Sequence, residues 1–146
     1  MTSAWSPAEV LPHRAPLLLL SRIVAWDSGS LVGEVDVSED CVLAEPGLGV
    51  PRWVAIEYMA QAVGALDGVR LRRAGQPVPP GYLLGTRQLD GTDGHFRPGT
   101  TLQITVQQVL DDASGLGVFS CRLVDGERSL ACQLTVYRPP AGTPRP

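Results

Sequence analysis

The chain has 146 residues, enough for one domain with a sizeable core and too few for two. Apolar residues make up 44% and aromatic residues only 5%, so the core is expected to be aliphatic. The formal charge is −3, lysine is absent and the arginines are scattered, which leaves no basic stripe of the kind nucleic acid demands.

Ser6-Pro7-Ala8-Glu9 places a capping residue, a proline at the first helical position and a glutamate three after the cap. Together these predict a short helix ending by Leu11-Pro12. After His13-Arg14-Ala15-Pro16, an apolar run leads into a predicted strand over 22–26, a turn at Asp27-Ser28-Gly29 and a second, alternating strand over 31–37. The longest pure-leucine run covers residues 17–20, far short of the ~20 residues needed to span a bilayer, so a soluble protein with no membrane partner is expected.

Residues 45–50 form a Gly/Pro-rich loop that matches neither a Walker pattern nor G-x-G-x-x-G. Pro51 then opens a helix reaching Arg73, closed by Gly75 and Pro77, about 35 Å long at 1.5 Å per residue. From Trp53 to Leu66 nearly every position is apolar, which predicts a helix wrapped by sheet rather than lying on a surface. Four strands follow, over 82–87, 102–106, 118–124 and 130–137, with Asp125-Gly126 as a turn between the last two. The fold class read from this order is α+β, a long central helix wrapped by a curved antiparallel sheet. Residues 1–138 are read as a single domain and the proline-rich 139–146 as a disordered tail.

Cys41, Cys121 and Cys132 are odd in number and lack C-x-x-C spacing, and the N-terminus lacks a signal-peptide order, which predicts a reduced, cytoplasmic protein. Neither these cysteines nor His13 and His95 show zinc spacing, so no metal and no cofactor is expected.

Within the apolar stretch from Trp53 to Val63 the strongly polar side chains are Glu57 and Gln61, four residues apart and hence on one face. A buried carboxylate is costly unless paired or used. The pair either hydrogen-bonds to the sheet or across a subunit interface, or supplies a general acid centred on Glu57; the second reading is preferred. His13 lies between two prolines in a constrained segment, and His95 falls in a loop between two strands, where a structural role is the simpler reading. The helix start at Arg52 and Trp53 offers backbone N–H groups to a carbonyl on which charge develops.

Several segments together resemble the 3-hydroxyacyl-carrier-protein dehydratases of bacterial fatty acid synthesis. Residues 11–22, beginning Leu-Pro-His-Arg, are similar to their N-terminal signature, and Glu57-Tyr58-Met59-Ala60-Gln61 to their helical Glu-x-Met-Ala-Gln. Leu84-Gly85-Thr86-Arg87 and Phe96-Arg97-Pro98-Gly99 continue the order. The ApeP-like branch of aryl polyene and related lipid-like pathways is the closer resemblance, through Val50-Pro51-x-Trp53-Val54-x-Ile56-Glu57-Tyr58-Met59-Ala60-Gln61 and 83–87.

This resemblance implies a hotdog fold, dimers joined edge to edge with a like or unlike hotdog subunit, and an acyl chain presented by an acyl carrier protein on phosphopantetheine. It implies dehydration to the trans-2-enoyl thioester, with Glu57 protonating the leaving hydroxyl and His13 as base. The Arg52 or Trp53 N–H would bind the thioester carbonyl, helped by Gly85, and Gln61 would orient Glu57 or a water. In the standard family a histidine precedes the helix in a His-Phe-Pro-Gly loop, where this chain has Ala44-Glu45-Pro46-Gly47. That departure keeps two other readings open, a non-catalytic partner of an active dehydratase and a thioesterase in which Glu57 activates water.

Overall fold

The computed structural model of the protein describes residues 5–78, 81–87, 89–126 and 128–139. Helix α1 (Pro7–Val10) starts as its sequence requires: the Ser6 N–H donates to Glu9 Oε1 at 2.9 Å and the Glu9 N–H to the Ser6 carbonyl at 3.1 Å. Strands β1 (Arg22–Trp26) and β2 (Ser30–Asp36) follow as an antiparallel hairpin whose turn is held by Asp27, which accepts the N–H groups of Gly29 and Ser30. The short strand β3 (Val50–Pro51) leads through a 3₁₀ turn (Arg52–Val54) into helix α2 (Ala55–Arg73).

After α2 come β4 (Tyr82–Arg87), β5 (His95–Phe96), β6 (Thr101–Asp111), β7 (Leu116–Asp125) and β8 (Arg128–Tyr137). The main sheet has the antiparallel order β1-β2-β6-β7-β8-β4, so α2 carries the chain from one side of the sheet to the opposite edge. Strands β3 and β5 form a separate two-stranded pairing, which was not anticipated; each is two residues long, below the length at which alternation becomes visible.

The period-two pattern explains which face of the sheet is covered. Leu102, Ile104 and Val106 of β6, Phe119, Cys121 and Leu123 of β7, and Leu130, Cys132 and Leu134 of β8 are all buried. They meet across the strands as Val106 with Cys121, Ile104 with Leu123, and Phe119 with Leu134. Register shifts in β1, β4 and β6 add the local twist that curls the sheet around α2. From the 3₁₀ turn and the helix, Val54, Ala55, Met59, Ala62, Val63 and Leu66 fill the concave face.

The expected tail, apart from Pro139, lies outside the described residues. All three cysteines are free thiols, with Cys121 and Cys132 buried and Cys41 half-buried. Among the described residues no helix is long and apolar enough to cross a membrane, and no group of His, Cys, Asp and Glu is placed to hold a metal ion.

Candidate active site

One stripe of α2 lays the segment from Val10 to Leu20 along the helix. A Cβ on Gly68 would lie 1.8 Å from the Val10 carbonyl oxygen, and one on Gly64 3.1 Å from a Leu11 methyl, so backbone meets backbone where α1 crosses α2. One turn further toward the helix start, Gln61 Oε1 accepts the Leu19 N–H at 2.8 Å and the Leu20 N–H at 3.3 Å, while Nε2 donates to the Leu17 carbonyl at 2.7 Å. Gln61 therefore fixes the backbone beyond His13, a task the sequence did not reveal; it was expected to orient Glu57 or a water. His13 sits between these two anchor points.

A cavity of about 300 Å³ opens beside this segment, and His13, Glu57 and Gln61 all line it. Its other walls come from the start of β4 and the end of β8, including Leu83 and Val136. The volume is at the lower end of the range for small-molecule sites. His13 and Glu57, which are 44 positions apart in the chain and both exposed, thus border one space.

Glu57 itself is exposed in the single chain, which corrects the expectation of a buried carboxylate. The reason lies in the sheet, which covers the helix from the side of β2, β6 and β7 and leaves the opposite side open. Trp53, one turn before Glu57, is 54% exposed, and edge strand β4 presents Leu83 and Leu84 to solvent. The all-round apolar helix therefore combines one face buried by its own sheet with another that its own chain leaves uncovered.

Arg52 also differs from expectation. Its backbone N–H donates to the Gly94 carbonyl at 2.9 Å and so is not free for a thioester oxygen. Its side chain, 1% exposed, donates through Nε to the Gly91 carbonyl at 2.9 Å and through Nη1 to Asp125 Oδ2 at 3.0 Å, and stacks 4.7 Å from the Phe96 ring centroid. These contacts tie the loop ahead of β5 to the end of β7, so Arg52 holds structure. Trp53, next along, stands at the helix start with its side chain outward. Gly85 lies just after the bulge in β4, with open space where a Cβ would project.

His95 is on β5 opposite Pro51, with Nε2 3.5 Å from Glu45 Oε2. It lines a different depression, together with Arg97 and Arg128, and not the cavity of Glu57.

The model of the ApeP-like family, described as ApeP dehydratase, matches residues 5–144. The chain belongs to the ApeP-like dehydratase family. It is 35% identical over 117 residues to the 3-hydroxyacyl-[acyl-carrier-protein] dehydratase FabZ of Thermomicrobium roseum, covering 73% of this chain and 72% of that protein. With the FabZ of Janthinobacterium sp. (strain Marseille) it shares 29% over 134 residues, 86% of this chain and 83% of that one. Among solved structures, a chain of the dehydratase heterocomplex ApeI:P from Xenorhabdus doucetiae superposes with a TM-score of 0.86 at 27% identity, covering 95% of this chain and 94% of that chain. The PaaI protein of E. coli, at 15% identity and a TM-score of 0.59 over 80% of this chain and 81% of its own, shares the fold alone. The architecture is the hotdog fold, as the resemblance implied.

Within this ApeP-like chain the loop where standard dehydratases carry a histidine is closed by a bridge between Glu45 and Gly49. The Glu45 N–H donates to the Gly49 carbonyl at 2.8 Å, and the Glu45 carboxylate faces His95.

Proposed function

We propose that this ApeP-like chain removes water from a 3-hydroxyacyl thioester, carried on the phosphopantetheine of an acyl carrier protein, to give the trans-2-enoyl thioester. The observation that carries this reading is the common cavity lined by His13 and Glu57 in a member of a dehydratase family. The reading treats residues 1–138 as the single domain that does the work, and the free thiols fit a reducing cytoplasm.

In this mechanism His13 takes the proton from C2, the C3–O bond breaks, and Glu57 delivers a proton to the departing hydroxyl, which leaves as water. Electron density from the C2–H bond passes through the thioester enolate into the new C2=C3 bond. The developing oxyanion needs a donor, and the Trp53 N–H is assigned that task because the Arg52 N–H is engaged with Gly94. Gly85, on the neighbouring edge strand, is kept as an aid to carbonyl binding on the family resemblance alone.

Glu57 is exposed in the isolated chain, whereas acid catalysis of this kind works best with water excluded. We assign the missing cover to the acyl chain and to a second hotdog subunit, like or unlike, joined along β4. The exposed Leu83 and Leu84 on that edge and the exposed Trp53 beside Glu57 support this. The heterocomplex named for the similar solved structure supports an unlike partner. It also sustains a second reading, in which the chain completes the partner's site without its own chemistry.

The decisive experiment is mass spectrometry of 3-hydroxyacyl-carrier protein after incubation with this chain, alone and with a second hotdog subunit. Loss of water that depends on Glu57 of this chain supports the proposal; hydrolysis of the thioester supports a thioesterase. Water loss that needs the partner and ignores Glu57→Gln supports the non-catalytic reading.

A further inference from the structure

Asp67 lines the same cavity as Glu57 but is assigned no part in dehydration. Both belong to one face of α2, with Gln61 and Gly64 between them, because positions 57, 61, 64 and 67 follow the helical repeat. Ten residues separate the two carboxyls, about 15 Å along the helix axis. The cavity wall holds the apolar Ala60, Val63 and Gly64 from the helix and Leu83 and Val136 from the sheet, together with the polar Gln61 and Arg138. Glu57 and Asp67 thus place two carboxyl groups on the wall of one partly apolar cavity.

Asp67 is only 19% exposed, and its neighbours are Arg70 Nη1 at 3.6 Å and Arg138 Nε at 3.8 Å, both beyond hydrogen-bond distance. The same Arg70 guanidinium donates through Nε to the Ser28 carbonyl at 2.8 Å and through Nη2 to the same oxygen. Burial raises the Asp67 carboxyl above its ordinary range, against the pull of Arg138 and Arg70. Asp67 thus has its charge balanced by two arginines through long ion-pair contacts, and its carboxyl still borders the cavity.

We propose that Asp67 reads the far end of the acyl chain and selects chains that end in a hydrogen-bond donor, such as a hydroxyl or an amine. With C3 held at Glu57, the tail lies along Ala60 and Gly64 and its terminus meets Asp67. A methyl terminus displaces water from the carboxylate and returns nothing, whereas a hydroxyl replaces the lost hydrogen bond. A terminal carboxylate meets a like charge at Asp67, and Arg138 in the same wall is already paired with that aspartate. This choice of substrate rests on the dehydratase reading for its direction of binding.

The test measures affinity separately from turnover. Pantetheine amides of 3-hydroxydodecanoic acid, of its ω-hydroxylated counterpart and of its ω-carboxylated counterpart are titrated into the wild type, Asp67→Asn and Asp67→Leu. The ω-hydroxy ligand is expected to bind the wild type roughly ten- to a hundredfold more tightly than the methyl-terminated one, the worth of one hydrogen bond to a charged group. Asp67→Leu should abolish or invert that ratio, and Asp67→Asn, which keeps the shape and the acceptor oxygen, should retain part of it. Equal binding of the three ligands by the wild type, or preference for the ω-carboxylate, overturns the proposal. So does a ratio that survives in Asp67→Leu. Dehydration of the matching thioesters is scored in parallel: selective binding without water loss sustains the role of Asp67 and removes the dehydratase reading instead.

Discussion

The Val10 carbonyl oxygen stands 1.8 Å from where a Cβ on Gly68 would be, so α1 rests on α2 through a contact that admits no side chain. Three residues after Val10 comes His13, whose position depends on that contact and on the Gln61 clamp beyond it. Gly68→Ala should therefore lower stability by roughly 1–3 kcal/mol, the usual cost of overpacking, although alanine is the better helix former by about 1 kcal/mol. Dehydration should fall with it as His13 shifts. Gly64→Ala is the contrast: the atom it meets is the end of the flexible Leu11 side chain at 3.1 Å, so its effect should be close to neutral. Urea unfolding of the two variants, with turnover in parallel, checks both; equal stability of the pair would remove the crossing as an anchor.

Gln61 offers a second way to loosen the same segment. Gln61→Met keeps the volume but leaves the Leu19 N–H and the Leu17 carbonyl without their partner at a 94%-buried position. A loss of about 1–3 kcal/mol follows from unsatisfied buried groups. If Gln61 acts by holding this backbone, kcat should drop with stability and faster hydrogen exchange should appear at residues 19 and 20. A variant that loses turnover with exchange unchanged would return Gln61 to direct contact with Glu57 or a water.

The elements that alternation and capping reveal were legible in the sequence: Ser6 and Glu9 for α1, Leu102 to Val106 for β6, and the long apolar run for α2. The exposure of Glu57 was not. A helix apolar on all sides reads the same whether its own sheet or a second subunit covers the last face. Arg52 was read as a helix-start donor because its partners, Gly91, Gly94 and Asp125, lie 39, 42 and 73 positions away and no local pattern announces them. Asp67 drew no notice for a related reason. An aspartate near the end of a helix is ordinary, and only the packing of β4 and β8 turns its face into a cavity wall.

The proposed division of labour makes the two histidines unequal. Glu57→Gln, an isosteric change at an exposed position, should leave fold and oligomeric state intact and lower turnover by roughly 10²–10⁴. His13→Ala should be as severe, because it faces the same cavity, whereas His95→Ala, in the depression with Arg97 and Arg128, should do little. Rates with 3-hydroxyacyl-carrier protein decide this. A large loss in the His95 variant with a small one in the His13 variant would transfer the base to β5.

Asp67 also makes stability depend on pH in a direction that can be worked out. Burial raises its carboxyl above the ordinary value of 3.8, and nearby Asp111 adds to the rise, while Arg138 and Arg70 oppose it. The folded chain therefore holds this proton to a higher pH than the unfolded chain does. The stability this contributes is present in full below the unfolded value and is lost as pH climbs through the folded one. The amide introduced by Asp67→Asn does not titrate, and every other group is common to the two proteins, so their difference isolates this carboxyl. Urea midpoints of wild type and variant, taken from below pH 3.8 up to neutrality, should diverge in favour of Asp67→Asn as pH rises. If the gap instead moves in favour of the wild type, the two arginines outweigh burial, and Asp67 is a salt-bridged anchor with its charge already well served.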